Sequence, residues 1–388
     1  MPNYKYEMEI LTPLHIGSGE KIYPLEYVID KEVIRVNMDK LFAEPSFQRE
    51  TFIRESKKRD FYLGAFDKNN SLKYPLYKIA IALSTASELT DNIGTSNALV
   101  LDFIKEGKNF YIPGSSLKGA IRTAVLWNFL QKANIRSEFE GSLKRELVRK
   151  KDPKEGRRVK KQRFSLSSEE AILGRPNYSL LKALHVGDSD FLSPSSISVE
   201  VSRVLSKTGN GFKWKQLGRD GGNTDNPKEA TPIFFEAVKS GTEIKGNIKI
   251  DEFLLSQEIA AALKLRDTAL LKKLAKTCNT FAHRHLEKEW DFFKPIGLKE
   301  IQDEIERIKN ISLTDNEFLL HFAWGSGYEA KALGNAIDKS LFNEIRNERD
   351  LGKNLGKRGM EFPKTRKIVF EDGKPRTVTG WVKVSLKE

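Results

Sequence analysis

Phe110-Tyr111-Ile112-Pro113-Gly114-Ser115-Ser116-Leu117-Lys118-Gly119-Ala120-Ile121-Arg122 changes its periodicity in the middle. The first three residues form a short apolar run, and Pro113-Gly114-Ser115-Ser116 breaks it. From Leu117 onward, Leu117, Ile121, Ala124 and then Leu126 or Trp127 recur at three- and four-residue spacing, which predicts a helix. Ser115 or Ser116 is the expected N-cap. Lys118 and Arg122, four apart, share one helix face. A glycine-containing turn into a helix N-terminus presents amide N–H groups and the positive end of a dipole, which suit a backbone phosphate. An ordinary capped helix is the competing reading. The order Lys118-Gly119-Ala120 departs from the Gly-Lys-Ser/Thr that a nucleoside-triphosphate loop requires.

Working outward, Tyr4 to Ile16 carries Tyr6, Met8, Ile10, Leu14 and Ile16 on one parity, a strand period that ends in Gly17-Ser18-Gly19. Tyr23 to Ile29 and Val33 to Val36 read as two further strands about Asp30-Lys31-Glu32. Residues 38–105 read as a largely helical insertion. Downstream, Leu184 to Gly187 and Ser196 to Val204 read as strands, and residues 206–228, rich in Gly, Lys and Asn, as a mobile loop. Pro232 to Val238 and Glu243 to Ile250 suggest a hairpin about Ser240-Gly241. One long helical stripe runs from Ile259 to His285, and a further helix from about Leu298 to Ile308. Glu317 to Trp324 reads as a strand stopping at Gly325-Ser326-Gly327. Arg366 to Phe370 and Thr379 to Leu386 suggest a terminal hairpin. The two Gly-Ser-Gly triplets both follow an apolar strand, and a Glu (Glu20, Glu329) follows each. This echo suggests two related halves and an α+β fold with helices on antiparallel sheets.

The chain has 388 residues, enough for two or three domains, and 39% hydrophobic residues, enough for a core. No apolar run approaches the length of a membrane span, and the charged N-terminus lacks the apolar core of a secretory signal. The single cysteine, Cys278, can form no internal disulfide, which points to a reducing cytoplasm. The net charge of +13 attracts polyanions: nucleic acid, an anionic membrane or an acidic partner, of which membrane is the weakest without a lipidation signal or a strongly amphipathic N-terminal helix. Residues 144–163 hold eleven basic and three acidic residues, and residues 346–388 twelve and six, so the remainder is close to neutral. The 144–163 segment, with Pro153, Gly156 and few large apolar residues, reads as a mobile loop.

Chemistry is harder to find. His283 and His285 are two apart, which on a helix separates their faces and disfavours a metal site. His285, His185 and His321 fit core positions. His15 abuts the first Gly-Ser-Gly and is the one candidate general acid or base of a metal-independent ribonuclease. Neither a nucleophile elbow nor a Cys–His signature is present, so no catalytic residue, metal or cofactor is assigned. Trp324 and Tyr328 flank the second glycine triplet, where an aromatic can stack on an unpaired base; core Trp324 and surface Tyr328 is the alternative.

Three stretches together carry a family likeness: Leu11-Thr12-Pro13-Leu14-His15-Ile16-Gly17-Ser18-Gly19-Glu20, the Tyr111 to Arg122 string, and Trp324-Gly325-Ser326-Gly327 with Phe362-Pro363-Lys364-Thr365-Arg366 and Gly380-Trp381-Val382. In order and spacing they resemble the RAMP superfamily of CRISPR-associated proteins. Within it they look most like the subunit of type III-A Csm complexes that caps the 3′ end of the guide RNA. The resemblance implies two ferredoxin-like, RRM-related domains, residues 1–235 with insertions at about 38–105 and 141–180, and residues 236–388. It implies crRNA binding, contact with an adjacent RAMP backbone subunit, and no catalysis by this subunit; recruitment of a trimming nuclease stays open. The RNA-binding residues expected are His15, Gly17, Ser18, Gly19, Ser115, Ser116, Lys118, Arg122, Trp324, Gly325, Ser326, Gly327, Tyr328, Lys364 and Arg366. A crRNA-processing endoribonuclease using His15 is the alternative.

Overall fold

Alternation in the first strand organises the smaller of the two principal sheets in this computed structural model, which describes residues 3–151, 166–209, 211–216, 222–348 and 362–387. Tyr6, Met8 and Ile10 of the strand Asn3–Ile10 point inward and are fully buried. That strand is central, paired antiparallel with Glu243–Ile250 on one side and Trp381–Lys387 on the other. Glu317–His321 and Leu184–Ser189 form the two edges. Gly246 lies opposite Tyr6, where a Cβ would collide with the tyrosine ring. Helices Gly114–Leu130 and Leu274–Phe293 pack on each other; the first lies against Leu184–Ser189 and the second against Glu317–His321. In chain order, strand 3–10, helix 114–130, strand 184–189, strand 243–250, helix 274–293 and strand 381–387 form a β-α-β-β-α-β unit. Its strands lie in the spatial order fourth, first, third, second, all antiparallel.

The larger sheet is built around Ile197–Thr208, whose Val199, Val201 and Arg203 share one buried face as expected, while Ser198, Ser202 and Ser206 are buried on the other. Its main path runs Gly17–Ile22, Val100–Phe103, Ile233–Val238, Ile197–Thr208, Pro75–Ile81, Val33–Val36, Tyr27–Ile29. Thr365–Glu371 also pairs with Ile197–Thr208. Leu14 and Val238 exchange backbone hydrogen bonds of 3.1 and 2.8 Å and join the first segment of the chain to this sheet. The 235/236 boundary falls inside the strand Ile233–Val238, and both sheets take strands from either side of it. Among the described residues no helix is long and apolar enough to cross a membrane.

Several local expectations are corrected. Residues 38–105 do carry helices, and Leu41, Phe47, Phe52 and Leu63 form a separate small core there. They also supply the strands Pro75–Ile81 and Val100–Phe103, short runs that each pair on one side with an earlier strand and on the other with a strand more than ninety residues ahead. Ile233–Val238 and Glu243–Ile250 are both strands but not a hairpin, because the chain crosses from one sheet to the other between them. The strand Thr365–Glu371 turns back into Lys374–Thr377, while Trp381–Lys387 joins the smaller sheet. The stripe from Ile259 is three helices, Gln257–Ala262, Ala269–Lys272 and Leu274–Phe293, interrupted where Lys264 and Asp267 take positive φ. Residues 144–151 continue the helix Ala133–Lys151, with Leu143 and Leu147 buried; residues 152–163 of the basic segment lie outside the described residues. Of the 206–228 loop, Gly211–Lys215 pairs with the end of Ile197–Thr208 and with Asn223–Thr224, so polar composition concealed a hairpin.

Candidate nucleic-acid interface

The two Gly-Ser-Gly triplets, more than three hundred residues apart, meet at one place. The Trp324 N–H donates to the His15 carbonyl at 3.0 Å, Gly380 N–H to the Pro13 carbonyl at 3.0 Å, and the Thr379 hydroxyl to the Trp324 carbonyl at 3.0 Å. Three chain segments are thereby laced together. The first triplet opens the strand Gly17–Ile22 rather than closing one, and Gly17, Ser18 and Gly19 are exposed. Gly19, Gly325 and Gly327 have φ of 96°, 85° and 80°, a region that a Cβ disfavours. Gly19 and Gly327 face open space, whereas a Cβ on Gly325 would overlap the Thr379 hydroxyl. The Ser18 hydroxyl donates to Asp102 at 2.7 Å. Ser326 is buried and donates to the Ala323 carbonyl at 2.9 Å, so its side chain serves the turn and does not face a ligand.

His15 is enclosed. It is 1% exposed and donates from Nδ1 to the Glu236 carbonyl at 2.6 Å. Its ring meets Phe103, Phe235 and Trp324 edge-on at 5.6–5.9 Å between centroids. Burial pushes its pKa down to about 4, leaving it neutral at pH 7. This is an enclosed, structural imidazole, which does not suit the general acid or base considered for it. Trp324 is likewise engaged, with Phe235 at 4.8 Å and the Lys367 ammonium 4.1 Å from its ring centroid. The sequence pointed to Lys364 and Arg366 but passed over Lys367. Among the described residues Lys367 has no carboxylate partner, and burial, with Lys331 beside it, pushes its pKa down to about 8. The signal that finds it is the two-residue period of Thr365–Glu371, which sends Arg366 and Lys367 to opposite faces.

Arg366 is buried in the other direction. Its guanidinium holds Glu289 through Nε at 2.8 and 2.9 Å and lies over Phe292 at 4.2 Å, so it braces the fold. Lys364 is partly buried, and its carbonyl accepts the Lys207 N–H at 2.8 Å. Around the helix Gly114–Leu130 the cap is Pro113, with no side-chain bond from Ser115 or Ser116. Asp188 accepts the Gly114 N–H at 2.8 Å, so a carboxylate already stands at the amide end intended for phosphate. Ser115 is exposed and Ser116 partly so. Lys118 and Arg122 do share a face, but the Lys118 ammonium donates to the Leu184 carbonyl at 2.6 Å and Arg122 pairs with Glu169. Tyr328 packs on Phe362 at 4.8 Å and, with Arg122 and Lys331, lines a cavity of about 470 Å³.

A charged network unforeseen in the sequence supports the first triplet from behind. Fully buried Glu236 accepts the Tyr77 hydroxyl at 2.7 Å, the Phe103 N–H at 2.9 Å and Lys105 at 3.2 Å, and Lys105 also pairs with Asp102. Burial pushes the Glu236 carboxyl up, against the pull of Lys105. Among the described residues no group of three or more His, Cys, Asp or Glu could hold a metal ion.

The family model described as the RAMP superfamily matches residues 7–327. The chain belongs to the RAMP superfamily. Its RAMP relatives include the CRISPR system Cms protein Csm5 of Methanocaldococcus jannaschii, 25% identical over 98% of this chain and 88% of that protein. The Streptococcus thermophilus protein of the same name is 32% identical over 34% of this chain and 40% of its own length. Among solved structures, a chain of a Csm–crRNA–target RNA ternary complex in a type III-A CRISPR-Cas system shares the fold with TM-score 0.67 and 21% identity, over 99% of this RAMP chain and all of that one. Csm5 of T. onnurineus matches with TM-score 0.63 and 19% identity, covering 97% and 99%.

Proposed function

We propose that the chain is the RNA-binding subunit of a type III-A CRISPR ribonucleoprotein that caps the 3′ end of the crRNA and docks on an adjacent RAMP backbone subunit. One observation carries the reading. The His15–Trp324 backbone bond gathers two glycine turns, the first exposed and the second partly so, beside Lys367, a cation with no carboxylate partner among the described residues. Positive-φ glycines, two of them with open space where a Cβ would stand, and an unneutralised lysine suit a phosphate backbone. The RAMP match and the Csm5 relatives supply the setting. In this reading the β-α-β-β-α-β unit is a ferredoxin-like domain closed by both ends of the chain. The endoribonuclease alternative draws no support from His15, which lies buried behind aromatic rings. The test is to reconstitute the complex with and without this chain and sequence the bound RNA 3′ ends. A defined end that blurs or shifts on omission is expected; identical ends in both preparations would reject the capping role.

A further inference from the structure

Beside the glycine turns, and not used by them, lies the cavity of about 470 Å³ bounded by the helices Gly114–Leu130, Ala133–Lys151 and Lys339–Glu348 and by the 328–337 segment. Its volume lies within the range of small-molecule sites. Three rings, Phe139, Tyr328 and Phe342, line it, and the cations Arg122 and Lys331 border it. Gly334 is also in the lining, and a Cβ there would strike the Phe342 and Tyr328 rings, so the glycine lets the backbone approach these rings closely. Arg122 spends one amino group on Glu169. The position relative to the glycine turns gives the cavity its meaning. Tyr328 directly follows Gly327, and Lys331 lies close enough to Lys367 to act on its charge.

We propose that this cavity receives one unpaired nucleobase of the bound RNA, packed against the rings of Tyr328, Phe139 and Phe342, with Arg122 and Lys331 on the flanking phosphates. The inference rests on the RNA-binding reading and adds to it a base-sized recognition site. An aromatic, part-apolar cavity with cations at its border matches a nucleotide, which carries a flat apolar ring and an anion a few ångströms apart. Lys331, whose charge acts on Lys367 beside the glycine turns, also lines the cavity and links the two places.

The experiment uses the full chain and single-stranded RNA carrying 2-aminopurine at successive positions, read by anisotropy for binding and by fluorescence for base environment. One position is expected to change its emission on binding. Thr123→Trp, which fills the cavity from its partly exposed wall, and Phe342→Ala, which removes a ring, should erase that change and weaken affinity about tenfold, the scale of one lost base–aromatic stack. With the unaltered chain, 4-thiouridine RNA should crosslink within residues 328–342. RNA that fails to bind the unaltered chain would refute the RNA-binding reading itself. RNA that binds normally, with the same fluorescence profile in both variants and crosslinks only elsewhere, would overturn the cavity alone. Normal RNA signals combined with lost assembly in both variants would assign the cavity to a partner's side chain and equally overturn the proposal.

Discussion

Lys367 and His15 show how a single residue's role turns on what surrounds it. An ammonium over an indole, with no carboxylate partner among the described residues, is attracted by the ring, but burial and then Lys331 beside it lower its pKa to about 8. The cation is therefore present below pH 8 and is lost as pH rises through that value. RNA affinity should decline between about pH 7.5 and 9 in the parent protein and stay flat in Lys367→Arg, as binding titrations at fixed salt would show. Lys367→Gln should reduce the salt slope of log affinity by about 0.7, the contribution of one phosphate contact on a single strand. An unchanged slope would remove Lys367 from the interface. His15→Ala should leave any cleavage by the assembled complex unaltered, whereas losing a general acid or base costs about 100- to 10,000-fold. Its effect should appear in urea unfolding instead. About 2 kcal/mol should be lost, because a buried ring and the Nδ1 hydrogen bond both disappear.

Among the elements, the helix Gly114–Leu130 was the most legible and its N-terminus the least. Leu117, Ile121 and Ala124 are all fully buried, as their spacing required. Yet what stands before the first amides is Asp188, from a strand seventy residues on, and no local rule announces it. Gly114 matters here through packing: a Cβ would run into the Val186 and Gly187 carbonyls. Gly114→Ala should therefore unfold the domain or cost several kcal/mol in denaturation, while Gly119→Ala, with open space around it and a better helix former, should be neutral or stabilise by up to about 1 kcal/mol. The second glycine triplet divides in the same way. Gly325→Ala meets Thr379 and should lower thermal stability strongly. Gly327→Ala meets nothing and should cost only about 1 kcal/mol from its positive φ, leaving it as the variant in which RNA binding can be read separately from folding.

Across the whole molecule, the smaller sheet depends on the chain's two ends. Trp381–Lys387 sits between Asn3–Ile10 and Glu317–His321, so ending the chain after Gly380 should abolish the folded state by circular dichroism and size exclusion. Beneath that strand, His321 Nε2 donates to the Thr379 carbonyl at 2.7 Å and its Nδ1 accepts from His285 at 2.6 Å, with the Trp381 ring stacked on both. Burial pushes His285 down to about 3 and His321 well below its usual value. With His15 near 4, these three residues bind protons more readily unfolded than folded. Their contribution to stability is complete above about pH 6.5 and is lost as pH falls towards 4, at about 1.4 kcal/mol per pH unit for each histidine. Urea midpoints from pH 7 to 5 should trace this, and His15→Ala should reduce the slope by one histidine's share.

Local pattern decided what is local. The parity of Tyr6, Met8 and Ile10, the spacing of Leu117, Ile121 and Ala124, and the burial of Val199, Val201 and Arg203 follow from side chains alternating in strands and recurring on one helix face. The motif order, from the Leu14 to Glu20 stretch through the Tyr111 to Arg122 string to Trp324–Gly327, led to the RAMP superfamily, because the close approaches of a shared fold leave glycines at fixed places. Only the tertiary structure decided which strands are neighbours. Glu243–Ile250 passes over its sequence neighbour Ile233–Val238 and pairs with Asn3–Ile10. It likewise decided which cations have a carboxylate partner among the described residues. Lys364, Arg366 and Lys367 are nearly alike as letters, yet Glu289, some eighty residues away, claims Arg366, and Trp324 receives Lys367. Strand pairing and charge pairing are contacts between distant residues, and distance along the chain holds no record of them.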